Sequence, residues 1–114
     1  MNFIFVIGFG MLGVALRYVA DLGIKFSLFP LSTFLVNLVG CFIAGYIFSN
    51  PSLHSGQKAA VLVGLCGGLT TFSALTLQTF QFLLSGEILK GVSYLLVSQI
   101  AGMLSLYAGY SLSR

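Results

Sequence analysis

The chain has 114 residues, of which 58% are hydrophobic and only 6% are charged, and its net charge is +3. Soluble domains carry about 25% charged residues, so a chain this poor in charge cannot cover a globular surface with polar groups. The mean hydropathy of +1.06 indicates lipid as the alternative solvent. The composition therefore excludes an ordinary water-soluble domain and predicts an integral membrane protein.

The few charged and sulfur-containing residues narrow the possible functions. Nucleic-acid binding requires clustered Lys and Arg side chains, whereas the basic residues here are scattered along the chain. Cys41 and Cys66 lie in apolar runs, are too few for a four-ligand zinc site, and are interpreted as packing residues. Because the one histidine falls in a predicted loop, no Ser-His-Asp or Cys-His arrangement is plausible. We therefore expect neither an enzyme nor a nucleic-acid-binding protein.

Stretches without Asp, Glu, Lys or Arg cover residues 3–16, 26–57, 59–86 and 91–113. A spanning helix needs about 20 apolar residues. The sequence therefore predicts one all-α transmembrane domain over residues 1–114, with helices at about 3–24, 30–49, 58–85 and 89–112. The first segment lacks the basic start of a signal peptide and is interpreted as the first span. Short connections are expected at residues 26–30, 50–56 and 85–87.

Polar residues in the first two predicted helices are candidates for a site, because polar groups at membrane depth are costly. We expect Arg17 either to extend its charge to the interface or to place positive potential near an anion entrance. Asp21, four residues further on, could pair with it. Asn37 lies deep in the second helix, on the same face as Thr33. Its amide is interpreted either as an anion contact or as an interhelical hydrogen bond.

The third predicted helix is too long for one straight span. Its 28 uncharged residues would extend about 42 Å as a helix, against a hydrocarbon core of about 30 Å. Residues 67–71 (GGLTT) form helices poorly and predict a break, which would free backbone carbonyls to line a cavity. The alternative is a kink with close packing at Gly64 and Gly68. Phe72 follows, and its ring edge could contact an anion or the ring could simply face lipid.

Hydroxyl groups are the main polar features of the remaining spans. Ser73, Ser98 and Ser105 either bond their own backbone or face a pathway, and Tyr94 shares the helix face of Ser98. No carboxylate lies in the middle of any predicted span, although a proton-coupled exporter usually needs one.

The positive charges are divided almost evenly between the two sides of the membrane. Arg17, Lys25 and Lys90 fall near one side, and Lys58 and Arg114 near the other. The positive-inside rule therefore has almost no bias to act on. Such a chain can insert in both orientations, so two copies could form an antiparallel, dual-topology dimer. Four helices alone hardly enclose a pore, which also favours an oligomer.

Three short motifs follow one another along the chain. The first is Gly13-x-x-x-Arg17-Tyr18, the second is Thr33-x-x-x-Asn37-x-x-Gly40, and the third is GLCGGLTTFS at residues 64–73. Together they resemble the signatures of the Fluc/CrcB family of bacterial fluoride channels. The resemblance covers the whole chain in length, number of helices and order of motifs.

This resemblance implies a passive fluoride channel of the bacterial inner membrane, built as a dual-topology homodimer with two antiparallel pores. It implies a Na⁺ ion at the centre of the dimer interface, held by the main-chain carbonyls of Gly67 and Thr70. The residues that the resemblance assigns to the anion pathway are Thr33, Asn37, Phe72, Ser73, Tyr94 and Ser98.

Three positions depart from the family pattern. Ala74 and Leu75 stand where the family often has Thr and a second pore Phe, and Gly102 replaces a serine of some members. These departures leave open a non-conducting subunit, or one that pairs with a homologous, non-identical subunit. A small proton-coupled exporter is a third possibility, against which the missing intramembrane acid weighs.

Overall fold

A computed structural model describes residues 2–24 and 30–114, apart from the side chain of Asn2. Four helical segments in these stretches are long and apolar enough to cross a membrane: Phe3–Gly23, Leu31–Ser49, Ser55–Leu84 and Ile88–Ser113. No strand occurs among the described residues. The predicted all-α, four-span, multi-pass architecture is confirmed. The first predicted connection, at 26–30, lies almost entirely outside the described residues.

The elements follow the spans, except that the third span is assembled from several pieces. They are α1 (Asn2–Gly23), α2 (Leu31–Ser49), α3 (Ser55–Ala59), a π-helix (Ala60–Cys66), α4 (Gly67–Leu69), α5 (Phe72–Leu84) and α6 (Ile88–Ser113). Thr70 and Thr71 between α4 and α5 are extended, with ψ of 154° and φ of −147°, respectively. The predicted break in the third helix is confirmed.

Two details of the third span differ from the prediction. The span begins at Ser55 instead of about residue 58, inside the predicted turn. The cause is a capping box, in which the His54 N–H donates to Gln57 Oε1 at 3.2 Å and starts the helix early. The two glycines expected at the break remain helical in α4, and the break falls on the two threonines that follow.

Glycines let α1 and the third span approach backbone to backbone. A Cβ atom added to Gly68 would lie 2.5 Å from the Gly10 carbonyl oxygen, and one added to Gly64 would lie 2.6 Å from that of Val6. A Cβ atom added to Gly13 would lie 2.7 Å from the Leu69 nitrogen. These small residues fix the register of the two helices, as is usual for packing in lipid.

The seam between α2 and α6 is built in the same way. A Cβ on Gly45 would meet the carbonyl of Leu106, and one on Gly109 would meet the carbonyl of Phe42. Ser105 Oγ donates to the Leu38 carbonyl across this seam at 2.7 Å. The two helices therefore pack through backbone contact along their C-terminal halves.

The last connection is a tight helix end. Gly86 has φ of +83° and is followed directly by Glu87, whose N–H donates to the Phe82 carbonyl at 2.9 Å. The Gly86 N–H donates to the Leu83 carbonyl at 3.1 Å, which completes a Schellman motif. The left-handed backbone requires glycine here. The predicted turn at 85–87 is confirmed.

Large apolar side chains cover the outer surface of the bundle. Phe3, Leu89 and Leu112 are 74%, 81% and 70% exposed, respectively. In water this surface would drive aggregation, but in a bilayer it contacts acyl chains at no cost. The fully packed interior is correspondingly small and includes Val36, Leu69 and Tyr94.

Candidate functional site: the broken third helix

The break between α4 and α5 redirects backbone hydrogen bonds to side chains. In a continuous helix the N–H of Thr71 would bond the Gly67 carbonyl, and the N–H of Ala74 would bond that of Thr70. Here the Thr71 N–H donates to Asn37 Oδ1 at 2.8 Å, and the Ala74 N–H donates to Thr71 Oγ1 at 3.1 Å. The carbonyls of Gly67 and Thr70 thereby lose their helical donors.

Asn37 bonds both backbone polar groups of one residue at the break, Thr71. Besides accepting from the Thr71 N–H, it donates from Nδ2 to the Thr71 carbonyl at 3.4 Å. The interhelical hydrogen bond expected as one interpretation of Asn37 is therefore present. The amide carries a second Nδ2 hydrogen, so this bond does not use up its donors.

Arg17 is directed to the same break from α1. Its Nε donates to the Gly68 carbonyl at 3.2 Å, and the side chain is partly buried. The suggested pairing with Asp21 is wrong, because Asp21 Oδ1 accepts a hydrogen bond from Ser32 Oγ at 2.6 Å. Among the described residues, the one ion pair joins Lys90 and Glu87.

A cavity of about 270 Å³ opens beside the break, between α2, α5 and α6. Asn37, Phe72 and Ser98, three of the predicted pathway residues, line it together. Phe72 is the first residue of α5 and is 74% exposed. Leu75, where the family often has a second Phe, also lines the cavity and is 4% exposed.

Ser98 has the least satisfied polar atom near this cavity. Its Oγ is buried and has no hydrogen-bond partner within the described part of the chain. Hydroxyls of membrane helices are normally satisfied by their own backbone, as Thr79 Oγ1 is by the Leu75 carbonyl at 2.8 Å. A buried hydroxyl left open is a group that can receive a ligand.

Two of the other predicted pathway residues, Thr33 and Tyr94, lie in a separate polar cluster. Tyr94 donates its hydroxyl to Gln78 Oε1 at 2.7 Å, and Gln78 Nε2 donates to Thr33 Oγ1 at 2.9 Å. Thr33 and Tyr94 are only 4% and 3% exposed. Ser73 instead shares a hydrogen bond with Thr71 Oγ1 at 3.1 Å. The structure thus divides the predicted set into a cavity group, this buried triad of Thr33, Gln78 and Tyr94, and Ser73, which belongs to neither.

Two participants were missed by the sequence analysis. Gln78 is the centre of the triad, and Thr71 supplies both the backbone N–H and carbonyl bound by Asn37 and the cap of α5. The signal for Gln78 was available, since Gln78 and Gln81 are the two amide side chains of the uncharged run 59–86, and an amide at membrane depth requires a partner. Nothing in the local pattern marked Thr71 above Thr70.

A cation at this site would be held by backbone oxygens. The described residues contain no group of three or more His, Cys, Asp or Glu side chains. The two carbonyls without helical donors, those of Gly67 and Thr70, are hard oxygen ligands of the type that Na⁺ and other hard cations take. The donor set therefore fits the ion that the resemblance implies.

Fold and site together define a small multi-pass membrane protein with a third span broken beside a cavity that Asn37 and Ser98 line. The CrcB-like protein family, Camphor Resistance (CrcB), matches residues 4–110, and the chain belongs to this family.

Several relatives resemble the chain over nearly its whole length. A protein of Azobacteroides pseudotrichonymphae is 41% identical, covering 97% of this chain and 95% of its own length. One from Pseudomonas syringae pv. tomato is 36% identical over 92% of this chain and 90% of its own. Both carry the name "fluoride-specific ion channel FluC". A Listeria innocua relative, "fluoride-specific ion channel FluC 2", is 35% identical over 100% of this chain and 92% of its own.

Proposed function

We propose that this chain is a passive, fluoride-selective ion channel of the bacterial inner membrane, and not an enzyme, and that it lets fluoride leave the cytoplasm. The observation that carries the proposal is the full-length similarity to relatives named as fluoride-specific channels. The broken helix and the cavity beside Asn37 and Ser98 are consistent with an anion pathway.

Fluoride is small and strongly hydrated, so a selective pathway has to replace its water with hydrogen-bond donors. The second Nδ2 hydrogen of Asn37 and the hydroxyl of Ser98 are suitable donors beside one cavity. The ring edge of Phe72 offers a weaker contact, which aids release. For Tyr94 to contribute, its hydroxyl has to exchange Gln78 for the anion.

We further propose an antiparallel homodimer with Na⁺ bound at the centre of its interface. The even distribution of positive charge supports dual topology, since neither orientation is favoured on insertion. The carbonyls of Gly67 and Thr70 would hold the ion. A bound Na⁺ supplies positive potential in a low-dielectric setting, which favours a nearby anion.

Fluoride efflux from liposomes containing this protein alone tests the proposal. A fluoride electrode should report rapid efflux with fluoride inside, and no anion loss should occur in matched liposomes loaded with chloride. Equal chloride and fluoride efflux would contradict selectivity. Efflux that requires a proton gradient would instead indicate an exporter.

A subunit that needs a non-identical partner is the second candidate. The cavity-lining position Leu75 favours it, because an aliphatic side chain stands where the family often supplies an aromatic contact. Absence of efflux from homogeneous, folded protein, restored by co-reconstitution with a homologous subunit, would support this candidate.

A further inference from the structure

Arg17 is a cation placed against the backbone of the broken helix. Its Nε donates to the Gly68 carbonyl at 3.2 Å, 51 residues away along the chain. In a continuous helix this carbonyl would bond the N–H of Phe72, which lies beyond the extended pair Thr70–Thr71. Arg17 therefore replaces a hydrogen bond that the break removes, where an unpaired carbonyl in the membrane would be costly.

The position of Arg17 is fixed by backbone packing one turn earlier on α1. A Cβ on Gly13 would lie 3.1 Å from the Gly68 carbonyl carbon, and one on Gly68 would lie 3.1 Å from the Val14 nitrogen. Gly13 and Arg17 are four residues apart and share a helix face. The close packing of Gly13 against Gly68 thus holds α1 against α4 and places the guanidinium of Arg17 at the end of α4.

The carbonyl that Arg17 binds belongs to the residue next to Gly67 in α4. The Gly67 and Thr70 carbonyls, without helical donors, are the proposed ligands of Na⁺. We propose that Arg17 is a positioning residue: its Nε–H fixes the end of α4 so that these two carbonyls can bind the cation together. This inference rests on the cation site of the proposed function.

A positioning role and a purely electrostatic role of Arg17 predict opposite changes in Na⁺ affinity when the residue is replaced. If Arg17 acted only through its positive charge, removing the charge would relieve repulsion and strengthen Na⁺ binding. If Arg17 positions the carbonyls, removing its N–H donor weakens Na⁺ binding. The sign of the change therefore separates the two roles.

Two substitutions of similar length isolate the donor from the charge. In Arg17→Gln the amide Nε2 stands the same number of bonds from the backbone as the Arg Nε, so it can donate to Gly68 without a charge. Arg17→Met has similar length and no donor. Lys58→Met is the matched control, because Lys58 Nζ donates to the Phe48 carbonyl at 3.0 Å, away from the break.

The experiment uses full-length purified protein with two readouts. The first is thermal stability against NaCl concentration at constant ionic strength with N-methylglucamine. The second is hydrogen–deuterium exchange of peptides covering residues 64–74. We expect Arg17→Met to raise the Na⁺ concentration needed for half-maximal stabilisation by about tenfold or more, the loss of one hydrogen bond to a charged group, and to speed exchange. Arg17→Gln and Lys58→Met should retain the midpoint and the exchange rate.

Equal behaviour of Arg17→Gln and Arg17→Met would overturn the inference, as would a lower Na⁺ midpoint in Arg17→Met. If Na⁺ leaves the stability of the unsubstituted protein unchanged, the cation role is wrong, and the exchange rates alone decide whether Arg17 holds the break. Fluoride efflux from the unsubstituted protein is measured separately, so failure of the channel proposal is distinguishable from failure of this one.

Discussion

The α2–α6 seam and the break in the third span both place polar groups at membrane depth, but they satisfy them differently. In the seam, Ser105 bonds the Leu38 carbonyl, and Ser49 bonds the carbonyls of Gly45 and Tyr110 at 3.1 Å. At the break, peptide groups bond Asn37 and Arg17, and Ser98 Oγ has no partner among the described residues. Polar groups that are all hydrogen-bonded within the protein are typical of a structural contact, whereas a buried polar group without a partner is typical of a binding site.

The seam predicts the largest loss of stability. Gly45→Ala places a methyl group against the Leu106 backbone, 2.8 Å from its carbonyl carbon. We expect a loss of about 3 kcal/mol or more, since backbone cannot move aside as a side chain can. Thermal unfolding in detergent measures it. Gly8→Ala is the control, because nothing lies within 4 Å of its added Cβ, and its higher helix propensity should leave stability equal or greater.

At the break the largest effect is expected on transport. Asn37→Asp retains an acceptor for the Thr71 N–H but loses the donor and adds a negative charge. Repulsion between two unit charges about 4 Å apart costs about 4 kcal/mol near a protein surface, so fluoride efflux should fall to background. Asn50→Asp makes the same change outside the spans, where Oδ1 accepts from the Ser52 N–H, and should leave efflux unchanged. Normal efflux through Asn37→Asp would remove Asn37 from the pathway.

The Thr33–Gln78–Tyr94 triad contains predicted pathway residues, as the break does, but its hydrogen bonds join helices, as those of the seam do. Substitutions in it test whether its role is structural. Gln78→Leu removes two interhelical hydrogen bonds and should destabilise the protein by about 1 kcal/mol. The same substitution at Gln81, which is exposed on α5, should have little effect. Combining Gln78→Leu with Tyr94→Phe should cost less than the sum of the two single changes. Additive costs would show that the triad does not act as a unit.

Most of the fold could be predicted because few charges interrupt long apolar runs. Four spans, the turn at Gly86 and the break all follow from composition and helix-breaking residues. The exact break could not be predicted, since intrinsic propensity disfavours glycine more than threonine. Packing decides the outcome: Gly68 lies against Gly10 and remains helical, while Asn37 binds the extended Thr71.

The structure brings together only some of the residues that the sequence analysis assigned to the anion pathway. Asn37, Phe72 and Ser98 line one cavity, as three of the six pathway residues. The sequence could not show that Thr33 and Tyr94 are joined through Gln78, because Gln78 is 45 residues from Thr33 and 16 residues from Tyr94 along the chain. Such contacts depend on the register between helices, which distant glycines set.

The smallest predicted change in stability gives the sharpest contrast between seam and break. Ser98 and Ser105 lie seven residues apart on α6, yet only Ser105 has a described partner. Ser105→Ala should lower stability by about 0.6 kcal/mol, the typical value of one hydrogen bond between membrane helices, and leave fluoride efflux unchanged. Ser98→Ala removes a desolvated hydroxyl that makes no hydrogen bond to the described residues, so stability should hold or rise by up to about 1 kcal/mol.

Efflux through Ser98→Ala should nevertheless fall about tenfold or more, because one donor to the dehydrated anion is lost. Stability and transport would then move in opposite directions at Ser98 and not at Ser105. A hydroxyl whose removal stabilises the protein and slows transport is retained for the ion and not for the fold. If Ser98→Ala instead destabilises the protein as Ser105→Ala does, its hydroxyl has a structural partner and the distinction between seam and break fails at this residue.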